Sequence, residues 1–265
     1  MSFRSTEVNA NLTKGAAASA DVLELLRLWK PDERTADFHR RAVEENLLGK
    51  ASRKRARDVV SNVLARRFFP DGNSQIAGNL ARLAAGRVPR EVVLQVMYYH
   101  TALAEHLLYL VATELLFQRH KEGADSLTTA DVVCFIRRLE VTRRADAAFS
   151  DAVLEKLGQS ALTTLRDFGI LEGKVRKRIA PFRVPHQVVG YIAHALRDER
   201  QTARRIVHHP DWRLLLLSTR EVEEALFDGA AHGHFTYSAA GDVRRFDWHY
   251  DNLDGYVHAI AETAT

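Results

Sequence analysis

The run from residue 92 to residue 117 constrains this chain more than any other. It is long and mostly apolar, yet Gln95, His100, Glu105, His106 and Glu114 interrupt it. A membrane-spanning helix needs about 20 predominantly apolar residues, and charges near its centre are costly. The run therefore reads as the central buried helix of a soluble bundle, opened after Pro89 and running from Arg90 to about His120. Its aromatics, Tyr98, Tyr99, Tyr109 and Phe117, belong to the core on this reading. The rest of the chain must supply the faces that cover it. With 265 residues, 46% of them hydrophobic, the chain has enough apolar material for two domains.

The flanking segments supply those faces at helical spacing. Val22, Leu25, Leu26 and Trp29 recur at i, i+3, i+4 and i+7 after Ser19. A second helix fits Arg34 to Leu47. A third opens at Ser52, a predicted N-cap, and places Ala56, Val59, Val60, Val63, Leu64 and Phe68 inward. Pro70, Asp71 and Gly72 make a turn, and a short helix carries Ile76, Leu80, Leu83 and Ala84. Residues 122–125 form the clearest boundary. Beyond it, Thr128 and Asp131 are spaced as a capping box. Cys134, the one cysteine, sits in an apolar helical pattern and reads as a small buried hydrophobe. It leaves no internal disulfide framework and no cysteine-based zinc site.

Charge along the chain is segregated. Residues 50–90 carry 10 Lys/Arg against 2 Asp/Glu, and residues 150–209 carry 11 against 6. Residues 210–265 reverse this, with 4 Lys/Arg against 10 Asp/Glu. Solubility alone needs no such segregation. A polyanionic partner accounts for both basic blocks through phosphate neutralisation and counterion release.

In the first block, Lys50, Arg53, Lys54, Arg55 and Arg57 cluster at a helix start, with Arg66 and Arg67 further along. The N-terminus of a helix carries partial positive charge, so cations there are misplaced unless an anion joins them. The bland alternative is a solvated arginine-rich helix whose long stems lie on the core. In the second block a helix bears Val153, Leu154, Leu157, Ala161, Leu165 and Phe168 on its buried stripe. Gln159, Ser160, Thr163 and Arg166 are left facing outward, and Gly169 stops the helix. A basic ribbon follows with Lys174, Arg176, Lys177, Arg178 and Arg183, and Pro185 opens the next helix. A helix followed at once by a basic ribbon is how a winged helix-turn-helix meets DNA. The last unit repeats this outline with opposite charge. Ser218 and Glu221 make a capping box, Val222, Ala225 and Leu226 face inward, and residues 235–248 alternate as a hairpin turning at Ala240-Gly241-Asp242.

Enzyme chemistry fails on spacing. No G-x-x-x-x-G-K-[ST], G-x-G-x-x-G or H-E-x-x-H is present. His232 with His234, and Asp247 with His249 and Asp251, suggest a metal, but both groups lie at element ends, where solvated histidines and capping aspartates are common. No catalytic residue, metal or cofactor is assigned.

Three stretches resemble the BrxA family of BREX bacteriophage-exclusion systems. These are NLLGKASRKRARDVV, AVLEKLGQSALTTLRDFGILEG with the basic strand and Pro185 after it, and HPDWRLLLLSTREVEEALFDGAAHGHFTYSAAGDVRRFDW. The likeness spans about residue 18 to 262. It implies a small cytoplasmic helical protein with winged-helix elements that binds double-stranded DNA. It also implies work beside a methyltransferase, an ATPase and a phosphatase-like component of the same locus. The N-terminal tail is longer than the family pattern requires.

The expected fold is mainly α, an N-terminal helical bundle followed by winged-helix-like units with small β-hairpins. The expected divisions are a disordered tail (1–18), the bundle (19–123), a winged-helix-like unit (124–209) and a helix–hairpin–helix unit (210–265). The absence of an apolar leader and the single cysteine fit a cytoplasmic, reduced protein. The expected function is non-enzymatic DNA binding, mainly to phosphates, with no membrane and no small-molecule substrate. The alternatives are a protein-interaction scaffold within the defence complex and, more weakly, RNA binding by the basic bundle.

Overall fold

A buried central helix exists, shorter than predicted, and the rest of the fold packs around it. The computed structural model describes residues 3–15, 18–30, 32–141, 149–174, 177–181 and 183–263. The fold is mainly α. Helices α1 (Ser19–Leu28) and α2 (Thr35–Glu44) lead to α3, which is α-helical over Arg53–Val59 and passes through a π-helical segment, Val60–Ala65, into Arg66–Phe68. Then come α4 (Gln75–Ala85) and α5 (Arg90–Ala104). From Val92 to Ala104 every residue of α5 except Leu94 is buried. Helix α4, the end of α3 and a later helix pack around it.

The predicted single long helix is broken at Glu105, whose backbone leaves helical geometry (φ −113°, ψ 85°). Helix α6 restarts at His106–Leu110 and continues through π-helical Val111–Leu116 to Phe117–Lys121. The break turns the Glu105 carboxylate inward, where it meets Arg67.

The second unit runs β1 (Ser126–Leu127), α7 (Thr129–Val141), α8 (Asp151–Asp167), β2 (Leu171–Glu172) and β3 (Lys177–Ile179). The three strands form an antiparallel sheet in the order β1-β3-β2. Its register pairs Leu127 with Lys177 and Glu172 with Arg178. The Thr128–Asp131 box forms at the head of α7, with Asp131 N–H donating to Thr128 Oγ1 at 3.2 Å. Gly169 ends α8 in the left-handed region at φ 78°, where a side chain would be strained. Cys134 is exposed on α7, not buried. Its neighbours Val132, Phe135 and Ile136 fill the inward stripe, and a five-residue apolar run is longer than one helix face can hide.

Helix α9 (His186–Asp198) follows Pro185 as its N-cap, and the short α10 (Ala203–Val207) and a 3₁₀ turn (Pro210–Leu215) lead to α11 (Thr219–Ala231). Ser218 and Glu221 form the predicted capping box. The hairpin β4 (Phe235–Ala240) and β5 (Val243–Trp248) places Phe235 opposite Trp248 and Tyr237 opposite Phe246. Aromatic cross-strand pairs of this kind stabilise a two-stranded ribbon. Helix α12 (Leu253–Glu262) closes the chain by packing on α4 and α9.

The N-terminal tail differs from expectation. Residues 3–15 are packed, with Val8 and Leu12 buried. Ser5 N–H donates to Leu103 O at 2.8 Å, across the central helix. The Arg4 guanidinium forks onto both oxygens of the fully buried Asp211, each at 2.8 Å. The polar composition of the tail concealed two apolar anchors and one arginine with a distant partner.

Candidate nucleic-acid interface

Helix α3 begins as the spacing predicts. Ser52 Oγ accepts from the Arg55 backbone N–H at 3.3 Å. Ala56, Val60, Val63, Leu64 and Phe68 turn inward. That stripe leaves Arg53, Lys54, Arg55 and Arg57 exposed, and none of the four has an ion-pair partner among the described residues. Four cations in five positions therefore stand at the positive end of a helix dipole, which is unfavourable without an anion.

The other cations of the first block are differently placed. Lys50 Nζ is 2.7 Å from Asp21 in the first turn of α1. Arg66, half-exposed, lies 3.9 Å from the Glu105 carboxylate. Arg67 does not belong to a surface site. It is 3% exposed, its Nε meets Glu105 at 3.1 Å, and its Nη1 donates to Gly15 O at 3.1 Å. A buried guanidinium so held has no route to a phosphate. The N-terminal segment and α3 also line a cleft of about 620 Å³ with Lys14, Asn62 and Arg66 on its walls. This cleft is not readable from residue order, because its far wall is the segment expected to be disordered.

In the second block Gln159 is exposed on α8, where its amide donates to Glu155 at 3.0 Å. Thr163 and Arg166 are half-buried, and Ser160, expected outward, is 7% exposed. The outward face of α8 thus carries Asp151 and Glu155 beside Lys156 and Gln159. On the ribbon, Lys174, Arg178 and Arg183 are exposed, while Arg176 lies outside the described residues. Lys177 is a correction. Its side chain is buried, and its ammonium donates to Gly173 O at 3.0 Å and to Lys174 O, so it ties the turn of the ribbon together. Alternation on β3 makes this inevitable: if Arg178 faces out, Lys177 faces in.

The two blocks approach each other at the start of α1. Lys50 reaches Asp21 there, and the Ser19 N–H donates to Asp167 Oδ2 at 3.1 Å, one residue from Arg166. Arg166 in turn lies near Lys177, whose pKa is lowered by desolvation and by that neighbouring charge.

The histidines have local partners. His186 Nδ1 and His234 Nε2 share one hydrogen bond of 2.7 Å, and the His186 ring stacks on His232 at 3.7 Å. His249 contacts Gly233 O and Thr236, and Asp247 pairs with Arg245. Among the described residues, no group of three or more His, Cys, Asp or Glu side chains is arranged to hold a metal ion. Among them, too, no helix is long and apolar enough to cross a membrane.

No curated protein matches the chain. The family model for BrxA matches residues 7–195, which include α3, the β1–α7–α8–β2–β3 unit and the cations described above. That match covers well over half of the chain, which therefore belongs to the BrxA family.

Proposed function

We propose that this chain is a non-enzymatic, cytoplasmic, double-stranded-DNA-binding accessory protein of a BREX phage-defence system. Family membership supports the BREX association. The DNA reading rests on one observation: Arg53, Lys54, Arg55 and Arg57 stand together at the start of α3, exposed and, among the described residues, without ion-pair partners. A duplex laid across this helix start exchanges an unfavourable cluster for phosphate contacts. The strand order β1-β3-β2 with two helices between β1 and β2 supports a winged-helix reading of the second unit. On that reading Lys174, Arg178 and Arg183 steady the duplex as a wing, with Gln159, Thr163 and Arg166 beside it. Contacts of this kind go mainly to phosphates and bring little base specificity.

Fluorescence anisotropy with a labelled duplex, repeated across salt concentrations, tests the reading. Affinity is expected to fall by about 0.9 decade per decade of salt for each phosphate neutralised. Reversing Arg53, Arg55 and Arg57 to Glu together is expected to abolish most of that slope. Binding that ignores salt, or survives the triple reversal, refutes it. A protein-interaction scaffold is the alternative, favoured by Asp151 and Glu155 on the outward face of α8, where a groove-reading helix needs neutral or basic groups. It predicts no measurable DNA affinity at physiological salt and co-purification with another component of the locus. A duplex RNA competitor in the same assay separates RNA binding from both.

A further inference from the structure

Helix α11 presents a face that the described residues leave largely exposed. Phe227 is 48% exposed there, with Tyr237 of β4 edge-on against it at 4.9 Å. Glu224 and Asp228 stand beside it with side chains 61% and 53% exposed; Glu224 accepts from Arg220 Nε at 2.9 Å and Asp228 lies 3.6 Å from His232 Nδ1, exposed pairs within one helix of the kind that contribute little and exchange readily with an incoming guanidinium. One turn earlier Glu221 is also exposed, held in its capping box. An exposed aromatic ring framed by carboxylates has the chemistry of a guanidinium receptor. The ring face attracts the cation, and the carboxylates accept its N–H groups, often in pairs.

The matching ligand is in the same chain. Arg53, Arg55 and Arg57, with Lys54, are exposed and have no ion-pair partner among the described residues. Receptor and ligand are both solvent-exposed, so neither is satisfied by the other within one molecule. We propose that the Phe227 face of α11 docks the arginine-rich start of α3 of a second copy of this chain. The contact joins two different surfaces, so it is head-to-tail, and each added copy leaves one receptor and one ligand unfilled. Growth is therefore concentration-dependent, and it continues unless the rotation between copies closes a ring. Duplex DNA and the α11 face would compete for the same arginines, so the acidic face acts as a stand-in for DNA when none is bound. The self-association is independent of the DNA reading, and only the competition rests on it.

The experiment is sedimentation of the full-length protein without DNA, at about 0.1 M and about 1 M salt, between which the Debye length falls from about 10 Å to 3 Å. Wild type is expected to associate at the lower salt and to dissociate at the higher. Two variants are made: Arg53→Glu/Arg55→Glu/Arg57→Glu, and Glu224→Arg/Phe227→Ser/Asp228→Arg, which spares the capping-box residue Glu221. Each alone is expected to remain monomeric. Mixed, they are expected to form a 1:1 heterodimer that grows no further, since one supplies the only intact receptor and the other the only intact ligand. That rescue also shows both variants to be folded. A monomeric wild type at low salt, variants that associate like wild type, or a mixture that stays monomeric would each overturn the proposal. Duplex binding by the α11 variant is read separately, so loss of DNA binding and loss of self-association are told apart.

Discussion

Asp211 is 0% exposed, and a buried carboxylate survives only with its charge answered. Arg4 answers it with two hydrogen bonds of 2.8 Å, and the hydroxyls of Tyr99 and Tyr109 donate at 3.0 and 2.9 Å. Burial pushes the Asp211 carboxyl up, but Arg4 and His209 outweigh it and hold the group well below the usual carboxylate range. Arg4→Ala leaves that charge buried without its main partner, and we expect a loss of about 3 kcal/mol in urea unfolding at pH 7. Arg4→Lys keeps the charge but not the fork, and should recover only part of it. Because the folded pKa is depressed, the stabilisation is present above the unfolded pKa of about 3.9 and disappears as pH falls through the folded value. The gap between wild type and Arg4→Ala should therefore narrow below about pH 4. A gap that stays constant down to pH 2 would contradict the ion-pair account. None of this was legible in the sequence, since residue 4 and residue 211 are joined only by the fold. The same limit explains Arg67 and Lys177. A linear count of cations cannot tell a phosphate ligand from a guanidinium turned onto a buried Glu105, or an ammonium closing a turn.

At the scale of elements, local chemistry was far more readable. Ser52, the Thr128–Asp131 box, the Ser218–Glu221 box, Gly169 and Pro185 each act on the residues next to them, and each marks an element end as expected. Tertiary demands overrode local pattern at Glu105, where the long helix breaks, and at Cys134, which the apolar run suggested was buried. The joint between α9 and the hairpin has a pH dependence that follows from its geometry. The single hydrogen bond between His186 and His234 needs one donor and one acceptor, so the accepting ring is neutral, and burial lowers the pKa of both rings. Burial pushes His234 down to about 3 and His194, stacked on Tyr256, down to about 4. His100, bonded to Tyr191 on the same helix α9, is pushed down to about 3 by burial. Groups facing the His186–His234 pair include His232, His249, Asp228 and Arg183. With folded pKa values below the unfolded value of about 6.5, the folded state holds fewer protons. Stability is then full above about pH 6.5 and falls as pH drops, by on the order of 1.4 kcal/mol per pH unit for each such group. Urea midpoints at pH 7, 6 and 5 check this. His234→Gln should remove about one proton's worth of the slope, and an unchanged slope would show that the ring is not a titrating group there.

At the scale of the whole molecule, the expected divisions at residues 123 and 209 meet a core that crosses both. A single cluster of buried side chains runs from Val8 to Ile260. Helix α12 returns to the N-terminal bundle, where Arg87 N–H donates to Ala261 O at 3.0 Å and Asn79 donates to Asp254 at 2.8 Å. Composition and charge marked the units, because segregated charge is a property of surfaces, but the core beneath them is continuous. Two results should follow. Calorimetry of the full chain should give one unfolding transition with equal calorimetric and van't Hoff enthalpies. A chain ending at residue 209 should fail to fold, since it strips α12 from α4 and α9 and leaves Arg4 without Asp211. A milder version tests the α4–α12 contact alone. At Gly86 an added Cβ would lie 2.6 Å from Ala261 O, a backbone atom with no rotamer to yield. Gly86→Ala should therefore cost about 1–3 kcal/mol while leaving one transition. If instead the variant unfolds in two steps, with the C-terminal unit melting first, the unit is separable and the continuous-core account fails. If it is as stable as wild type, α12 does not dock where the Arg87–Ala261 bond places it.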